Sequence, residues 1–125
     1  MDRQSTGKFG EDTAVEYLES LGWRIIERNW RCPAGELDII AQEPAPCGTL
    51  VFCEVKARRR IQDRLPVMPL EAITEKKLRK LRELARYWLR ASAKSARHIR
   101  IDALGVIISA DGAVSVQHRR GIGSR

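Results

Sequence analysis

Three charged residues on two apolar segments constrain the fold of this chain more than any other feature. Asp38 lies within the apolar residues 37–41, and Glu54 and Lys56 lie within the apolar residues 50–56. Both segments are typical of neighbouring β-strands, and alternation along a strand puts Glu54 and Lys56 on the same face, one pleat apart. Charged groups on otherwise apolar strands are costly unless they pair with each other or bind a ligand.

The chemistry of these side chains favours a metal site. Two carboxylates can hold a divalent cation, and a nearby ammonium can hold a water molecule or a phosphoryl oxygen. Together they are the groups required for metal-assisted hydrolysis of a phosphodiester bond. The alternative interpretation is that Glu54 and Lys56 form a solvated pair at a sheet edge and that Asp38 faces a turn, because Glu-x-Lys triplets are common.

Hydrophobic periodicity and turn residues predict the other elements. The first helix is predicted over residues 7–21 and the second over residues 74–93, with Thr74 as a possible N-cap. Strands are predicted over residues 23–30, 36–41, 50–56, 98–108 and 113–118, with turns or loops over 31–35, 43–49, 58–70 and at Asp111-Gly112. The second and third strands are expected to form a hairpin in which Asp38 faces Glu54.

Three more acids lie near these strands in the predicted arrangement. Glu11 is four residues before Val15 and seven before Leu18, so it heads the apolar face of the first helix and not its wet face. Glu36 shares a strand with Asp38, and a solvated position at the strand end is favoured for it. Asp102 lies in an apolar strand, where a structural ion pair with an arginine is the favoured role.

Length and composition limit the class of protein. The chain has 125 residues, 43% of them hydrophobic and 31% charged, which indicates one globular domain with its core over about residues 7–118 and a basic tail over 119–125. No apolar run approaches the ~20 residues of a membrane span, and the polar start has no signal-peptide core. Three cysteines without Cys-x-x-Cys spacing fit the cytoplasm, and together with His98 they also lack the spacing of zinc ligands.

Three motifs in order resemble a known family. They are Gly7-x-x-Gly10-Glu11-x-x-Ala14, Gly35-Glu36-Leu37-Asp38-Ile39-Ile40 and Phe52-Cys53-Glu54-Val55-Lys56-Ala57-Arg58, and the resemblance runs from about residue 7 to residue 108. They closely resemble the YraN-like family, which is assigned to the restriction-endonuclease-like, PD-(D/E)xK nuclease superfamily. Within that superfamily, the YraN-like family is similar to the archaeal Holliday-junction resolvases. The resemblance implies an α/β fold: a single domain with a mixed β-sheet flanked by helices and an αβββαβ core.

The resemblance also implies a role for each motif residue. The acid of the superfamily's first helix falls on Glu11, its two strand acids fall on Asp38 and Glu54, and its lysine falls on Lys56. Magnesium or manganese would then be held by Asp38, Glu54 and the backbone carbonyl of Val55, with Glu11 acting on a second metal or through water. Lys56 would orient the attacking water or stabilise charge on the phosphoryl group. Leu37 stands where the superfamily often has proline.

Basic residues indicate a nucleic-acid partner. The chain has 23 Lys and Arg against 16 Asp and Glu, giving a net charge of +7, and such small domains commonly bind nucleic acid or another anionic surface. The run Arg58-Arg59-Arg60 follows Lys56 directly, where it could contact phosphates, or it could belong to a solvated loop. The second helix adds candidate phosphate contacts at Lys76, Lys77 and Lys80, although a charged helix face is also ordinary.

The favoured function is a magnesium-dependent endonuclease acting on DNA, with branched or junction DNA as the expected substrate. The rival is a non-catalytic nucleic-acid-binding module that keeps the nuclease fold, and a third interpretation is a protein-interaction adaptor. No membrane partner is expected. An enzyme that cuts junctions would need two sites facing two strands, which suggests a homodimer.

Overall fold

A computed structural model of the chain describes residues 2–60 and 73–123. It contains two helices and five strands in the order α1 (Arg3–Ser20), β1 (Arg24–Cys32), β2 (Gly35–Gln42), β3 (Leu50–Arg59), α2 (Glu75–Ser92), β4 (Ile99–Ile108) and β5 (Val114–Arg119). All seven elements predicted from the sequence are therefore present, and most of their ends lie within two residues of the prediction. Most of the predicted loop over residues 58–70 falls outside the described residues.

The five strands form one mixed sheet in the order β1-β2-β3-β4-β5. Neighbouring strands are antiparallel except for β3 and β4, which are parallel and are connected through α2. A parallel pair requires such a long crossover, whereas the antiparallel pairs need only short turns. The predicted α/β architecture and its β2–β3 hairpin are confirmed, and the arrangement is consistent with a restriction-endonuclease-like fold.

One face of the sheet packs against α1. The helix begins after Asp2, whose carboxylate accepts the backbone N–H of Ser5 at 2.7 Å and thereby caps the first turn. Its buried residues Ala14 and Leu18 are four apart and pack with alternate residues of β2 and β3, among them Ile39 and Cys53. This face contains the first half of the core.

The other face packs against α2. Thr74 caps this helix as predicted, since its hydroxyl accepts the N–H of Lys77 at 3.1 Å. The buried stripe of the helix comprises Leu78, Leu81, Leu84, Ala85 and Trp88. It packs against the intervening residues of the same strands, including Ile40 and Phe52. The two helices therefore cover opposite faces of one sheet, as the alternation of strand side chains requires.

Two element ends differ from the sequence prediction. Helix α1 begins at Arg3, four residues earlier than predicted, because the Asp2 cap extends it beyond its apolar stripe. Strand β3 continues to Arg59, so Arg58 and Arg59 belong to a strand and not to the predicted loop. Parallel pairing with β4, including Arg58 opposite Ile107, holds this extension. Within the described ranges, no helix is long and apolar enough to cross a membrane.

Candidate functional site

The site begins where β2 and β3 separate. Their antiparallel pairing runs from Gln42 opposite Leu50 to Ile39 opposite Cys53. At the next position the Asp38 side chain enters, and its Oδ2 accepts the backbone N–H of Val55 at 2.8 Å. The carboxylate thus serves a backbone donor that would otherwise lack a partner where the ladder stops. The sequence predicted that Asp38 and Glu54 face each other across a regular ladder. In the structure the regular pairing of β2 and β3 stops one residue before them.

The alternation of β2 changes at the same point. Ile39 packs on the α1 side, whereas Leu37 and Ile40 both belong to the core cluster on the α2 side. On the adjacent strand, Asn29 lies between Arg28, which is opposite Ile39, and Trp30, which is opposite Leu37. Asn29 has a φ of 53°, a left-handed conformation that asparagine tolerates better than most residues. This irregular stretch of backbone lets Asp38 leave the regular pleat.

Asp38 and Glu54 form a close pair of carboxyl groups. Burial of Asp38, a hydrogen bond to Glu54 and the negative charge of Glu54 raise the pKa of Asp38 from 3.8 to about 8, with a smaller contribution from Glu11. The hydrogen bond from the Val55 N–H lowers the pKa of Asp38, but the effects of burial and of Glu54 together are larger. Two carboxylates this close, one buried and one half-buried, cannot both ionise easily, and the raised pKa keeps Asp38 protonated at neutral pH. The predicted meeting of the two strand acids is present in the structure.

Glu54 is the more enclosed member of the pair. Its side chain is 7% exposed, and its Oε2 lies 3.1 Å from Nζ of Lys77 on α2. That oxygen is buried and accepts no hydrogen bond from any described residue, so the lysine compensates charge without the geometry of a hydrogen bond. An under-coordinated carboxylate oxygen beside a protonated partner is the donor chemistry that a hard divalent cation would complete.

Glu11 lies near the pair but binds elsewhere. Its Oε1 accepts hydrogen bonds from Arg28 Nε and from Asn29 Nδ2, both at 2.9 Å. Glu11 and Asp38 line a common cleft of about 600 Å³, which we call the acidic cleft. Within residues 2–60 and 73–123, no three His, Cys, Asp or Glu side chains are grouped closely enough to hold a metal ion. The structure therefore brings Asp38 and Glu54 together, whereas Glu11 lies nearby and is bonded to Arg28 and Asn29.

A second, larger cleft adjoins the acidic cleft. It has a volume of about 1050 Å³, and its cationic lining includes Lys56, Arg58, Arg59 and Arg60. We call it the basic cleft. Arg3 and Gly7 of α1 and Val55 and Ala57 of β3 line both clefts. The predicted lysine and the predicted arginine run thus share one cavity, next to the cavity that contains Asp38.

Close packing of α1 on β3 separates the two clefts. Gly10 lies so near Ala57 that a methyl group added at Gly10 would collide with the Ala57 side chain. This contact holds the first turns of α1 over the end of β3, and Arg3 and Lys8 consequently line the acidic cleft. The sequence did not predict a role for either cation, because Arg3 precedes the predicted start of α1 and neither residue lies in a basic run.

The three lysines proposed on α2 have different surroundings. Lys76 is exposed, and Lys80 lies 3.7 Å from Glu83 in a helical i,i+3 pair. The ammonium of Lys77 lies beside Glu54, and the sequence did not predict this contact. The predicted roles of Glu36 and of Asp102 are confirmed: Glu36 is exposed and pairs with Arg31, whereas the fully buried Asp102 pairs with Arg100.

Asp102 also binds His118, through a connection that the sequence could not reveal. His118 Nε2 donates to Asp102 Oδ2 at 2.8 Å, and the Tyr17 hydroxyl lies 2.9 Å from Nδ1. Although burial alone raises the pKa of Asp102, hydrogen bonds from His118, Arg100 and the Gly121 N–H outweigh it, and the pKa is lowered. The His118 side chain is only 6% exposed. This network belongs to the core.

Comparison with known proteins identifies relatives along nearly the whole chain. A UPF0102 protein of Beutenbergia cavernae is 43% identical over 121 residues, covering 97% of this chain and 98% of its own length. A UPF0102 protein of Renibacterium salmoninarum is 44% identical over 117 residues, with 94% of each chain covered. A solved structure of Pyrococcus furiosus SfsA in complex with Ca²⁺ matches 96% of this chain and 64% of its own, with 22% identity and a TM-score of 0.36.

A family model makes the same assignment as these relatives. It is described as uncharacterised protein family UPF0102, and it matches residues 10–106. The matched segment includes Glu11, Asp38, Glu54 and Lys56, as well as all of α2. The chain therefore belongs to the UPF0102 family.

Proposed function

We propose that this protein is a metal-dependent endonuclease that hydrolyses phosphodiester bonds in DNA, with Mg²⁺, or Mn²⁺ in its place, as cofactor. In this proposal it is a YraN-like member of the PD-(D/E)xK nucleases, and branched DNA such as a four-way junction is its substrate. Two copies would act together as a homodimer on such a junction, because two strands must be cut.

The pair formed by Asp38 and Glu54 carries the proposal. Asp38 has a raised pKa beside Glu54 at the end of a strand ladder, and one buried oxygen of Glu54 accepts no hydrogen bond from the described residues. A purely structural acid pair would be expected to have its oxygens satisfied by donors. The pair therefore fits a divalent cation, which would replace the proton and complete the oxygen's coordination.

The metal would supply Lewis-acid activation of a water molecule and of the scissile phosphate. Asp38 and Glu54 would hold it, and the Val55 carbonyl would be a third ligand. Glu11 would act from across the acidic cleft, either on a second metal or through a water molecule. Lys56 would place its ammonium against the phosphoryl oxygens where negative charge grows in the transition state. Arg58, Arg59 and Arg60 would bind neighbouring phosphates and fix the position of the strand.

Cleavage of labelled DNA tests the proposal. A panel of duplex, single-stranded, flapped and four-way DNA is incubated with Mg²⁺ and then with Mn²⁺, and the wild type should cut at least one substrate. Asp38→Ala should abolish cleavage and divalent-cation binding. Glu19→Ala is the control, because it removes an exposed acid of α1 that lies outside the acidic cleft. Equal cleavage by wild type and Asp38→Ala would contradict the proposed site.

Lys56→Met separates the chemical step from binding. The variant keeps most of the side-chain stem and loses the ammonium, so single-turnover cleavage should fall by about 10²-fold or more. Equilibrium DNA affinity should change little, because one phosphate contact among many is a small part of the total. Lys76→Met removes an exposed lysine of α2 and should spare the cleavage rate of bound DNA. Undiminished cleavage by Lys56→Met would refute this role for Lys56.

A non-catalytic DNA-binding module is the second candidate function. It is favoured by the ties of Glu11 to Arg28 and Asn29 and by the lack of a three-acid group among the described residues. Both candidates predict salt-dependent binding, with log affinity falling by about 0.9 per phosphate contact for each unit of log salt concentration. Replacing Arg58, Arg59 and Arg60 by alanine should flatten that slope. Binding of the DNA panel without any cleavage would favour the module.

A further inference from the structure

Lys77 lies beside the acid pair although no sequence motif includes it. It is the third residue of α2, and its backbone N–H donates to the Thr74 cap, so the first turn of the helix fixes its position. From there Nζ reaches to 3.1 Å from Glu54 Oε2. Glu54 is 7% exposed, whereas Lys77 is 39% exposed. The ammonium therefore enters from the solvent side onto a carboxylate that is otherwise enclosed.

The contact neutralises Glu54 without satisfying it. Oε2 remains a buried oxygen with no hydrogen bond from the described residues, even though the ammonium is close. A divalent cation would bring twice the charge to the same oxygen and could bind Asp38 at the same time. Both cations would interact with one carboxylate face, so the ammonium and the metal compete electrostatically for it.

We infer that Lys77 is an exchangeable counter-cation of the candidate metal site. In the metal-free protein its ammonium holds the place beside Glu54 Oε2, and it withdraws when a divalent cation binds there. Withdrawal requires no movement of α2, because the flexible four-carbon stem is already partly exposed and the helix backbone is capped independently. The freed ammonium is then available to a phosphate at the metal. This inference rests on the proposed function, since it assigns Lys77 to the same site.

Metal titration of Lys77→Met tests the exchange. The substitution removes the competing ammonium and keeps a stem of similar length. Binding of Mn²⁺, measured by calorimetry, should become several-fold tighter than in the wild type. Lys80→Met is the matched control, because it makes the same charge change on the same helix and its nearest acid is Glu83. The control variant should bind Mn²⁺ with wild-type affinity.

Thermal unfolding supplies a second measurement that does not depend on cleavage. In EDTA, Lys77→Met should have a lower Tm than Lys80→Met, since Glu54 has lost its counter-charge. Saturating Mn²⁺ should raise the Tm of Lys77→Met more than that of the wild type, because the metal replaces a missing cation and does not have to displace one. An equal Mn²⁺-dependent rise in all three proteins would overturn the inference.

The outcomes separate this inference from the proposed function. If Asp38→Ala abolishes Mn²⁺ binding while Lys77→Met leaves the affinity unchanged, the metal site stands and the exchange is wrong. Weaker Mn²⁺ binding by Lys77→Met also overturns the exchange, since it would make the lysine a support of the metal site. If neither the wild type nor Lys77→Met binds Mn²⁺, both ideas fail.

Discussion

Metal binding to this protein should release a proton, and the release should depend on pH. Burial and the neighbouring Glu54 raise the pKa of Asp38 from the ordinary 3.8 to about 8, so Asp38 retains its proton at neutral pH. At pH 7 a group with that pKa is about 90% protonated, so binding of Mn²⁺ to the ionised pair should displace about 0.9 proton. An acid with an ordinary pKa would release almost none at this pH.

The same pKa fixes the pH dependence of metal affinity. Since only the ionised pair binds the metal, apparent affinity should rise about ninefold from pH 6 to pH 7 and about fivefold from pH 7 to pH 8, and then level off. With an ordinary pKa the affinity would be nearly constant over this range. The large rise would therefore distinguish an acid with a raised pKa from a pair of ordinary acids.

Calorimetric titration with Mn²⁺ measures both quantities. Repeating it at pH 7 in two buffers of different ionisation enthalpy gives the number of protons released, and a series from pH 6 to pH 9 gives the affinity curve. Glu19→Gln removes an exposed acid outside the acidic cleft and should leave proton release unchanged. An affinity that is flat between pH 6 and pH 8, with no proton released, would refute the reasoning.

Four other substitutions, one of them a control, test separate parts of the structure. Gly10→Ala should destabilise the protein by about 1–3 kcal/mol through its collision with Ala57, whereas Gly7→Ala, with nothing within 4 Å, should be neutral or stabilising in urea unfolding. Asp38→Asn should raise the Tm of the metal-free protein at pH 8, and the gain should vanish near pH 4, because the raised pKa penalises the folded state only as pH rises between these values. Asp102→Asn should cost about 3–5 kcal/mol at pH 7. That loss should shrink on acidification, because an acid whose pKa is lowered in the folded state stabilises the fold only at pH values above that lowered pKa.

The fold was largely predictable because each element carries its own local signals. Thr74 caps α2 as expected. The prolines and the glycine of residues 43–49 form the loop between β2 and β3, which pair as a hairpin. The extension of β3 to Arg59 had no such signal. It depends on parallel pairing with β4, whose residues lie about 50 positions further along the chain, as in Val51 opposite Arg100.

The acids of the candidate site and Lys56 were predictable, whereas the positions of Lys77, Arg3 and Lys8 were not. Asp38 and Glu54 stand out in the sequence because they lie on apolar strands, where a charged side chain is rarely found without a partner. Lys77 is one of many basic residues on α2, and only the crossover of the chain between β3 and β4 brings it to Glu54. Arg3 and Lys8 reach the acidic cleft for a similar reason, through the packing of Gly10 on Ala57.

Buried acids on one sheet differ most clearly in how their oxygens are satisfied. Asp102 accepts two hydrogen bonds from Arg100, one from His118 and one from the Gly121 N–H, and its pKa is lowered. Asp38 accepts one backbone N–H, and its burial and the neighbouring Glu54 raise its pKa. The sequence presents both as aspartates within apolar strands and does not distinguish them.

The two aspartates should therefore respond in opposite directions to the same isosteric change. Asparagine at 102 removes a charge that the folded state stabilises with Arg100 and leaves that cation unpaired, so stability falls. Asparagine at 38 removes a carboxyl group whose ionisation the folded state opposes, and its amide oxygen can still accept the Val55 N–H. A fold that tolerates this penalty at Asp38 keeps an incompletely satisfied acid pair, where a cation would bind under the proposed function. Destabilisation of the metal-free protein by both variants at pH 8 would remove this distinction between a structural acid and a functional one.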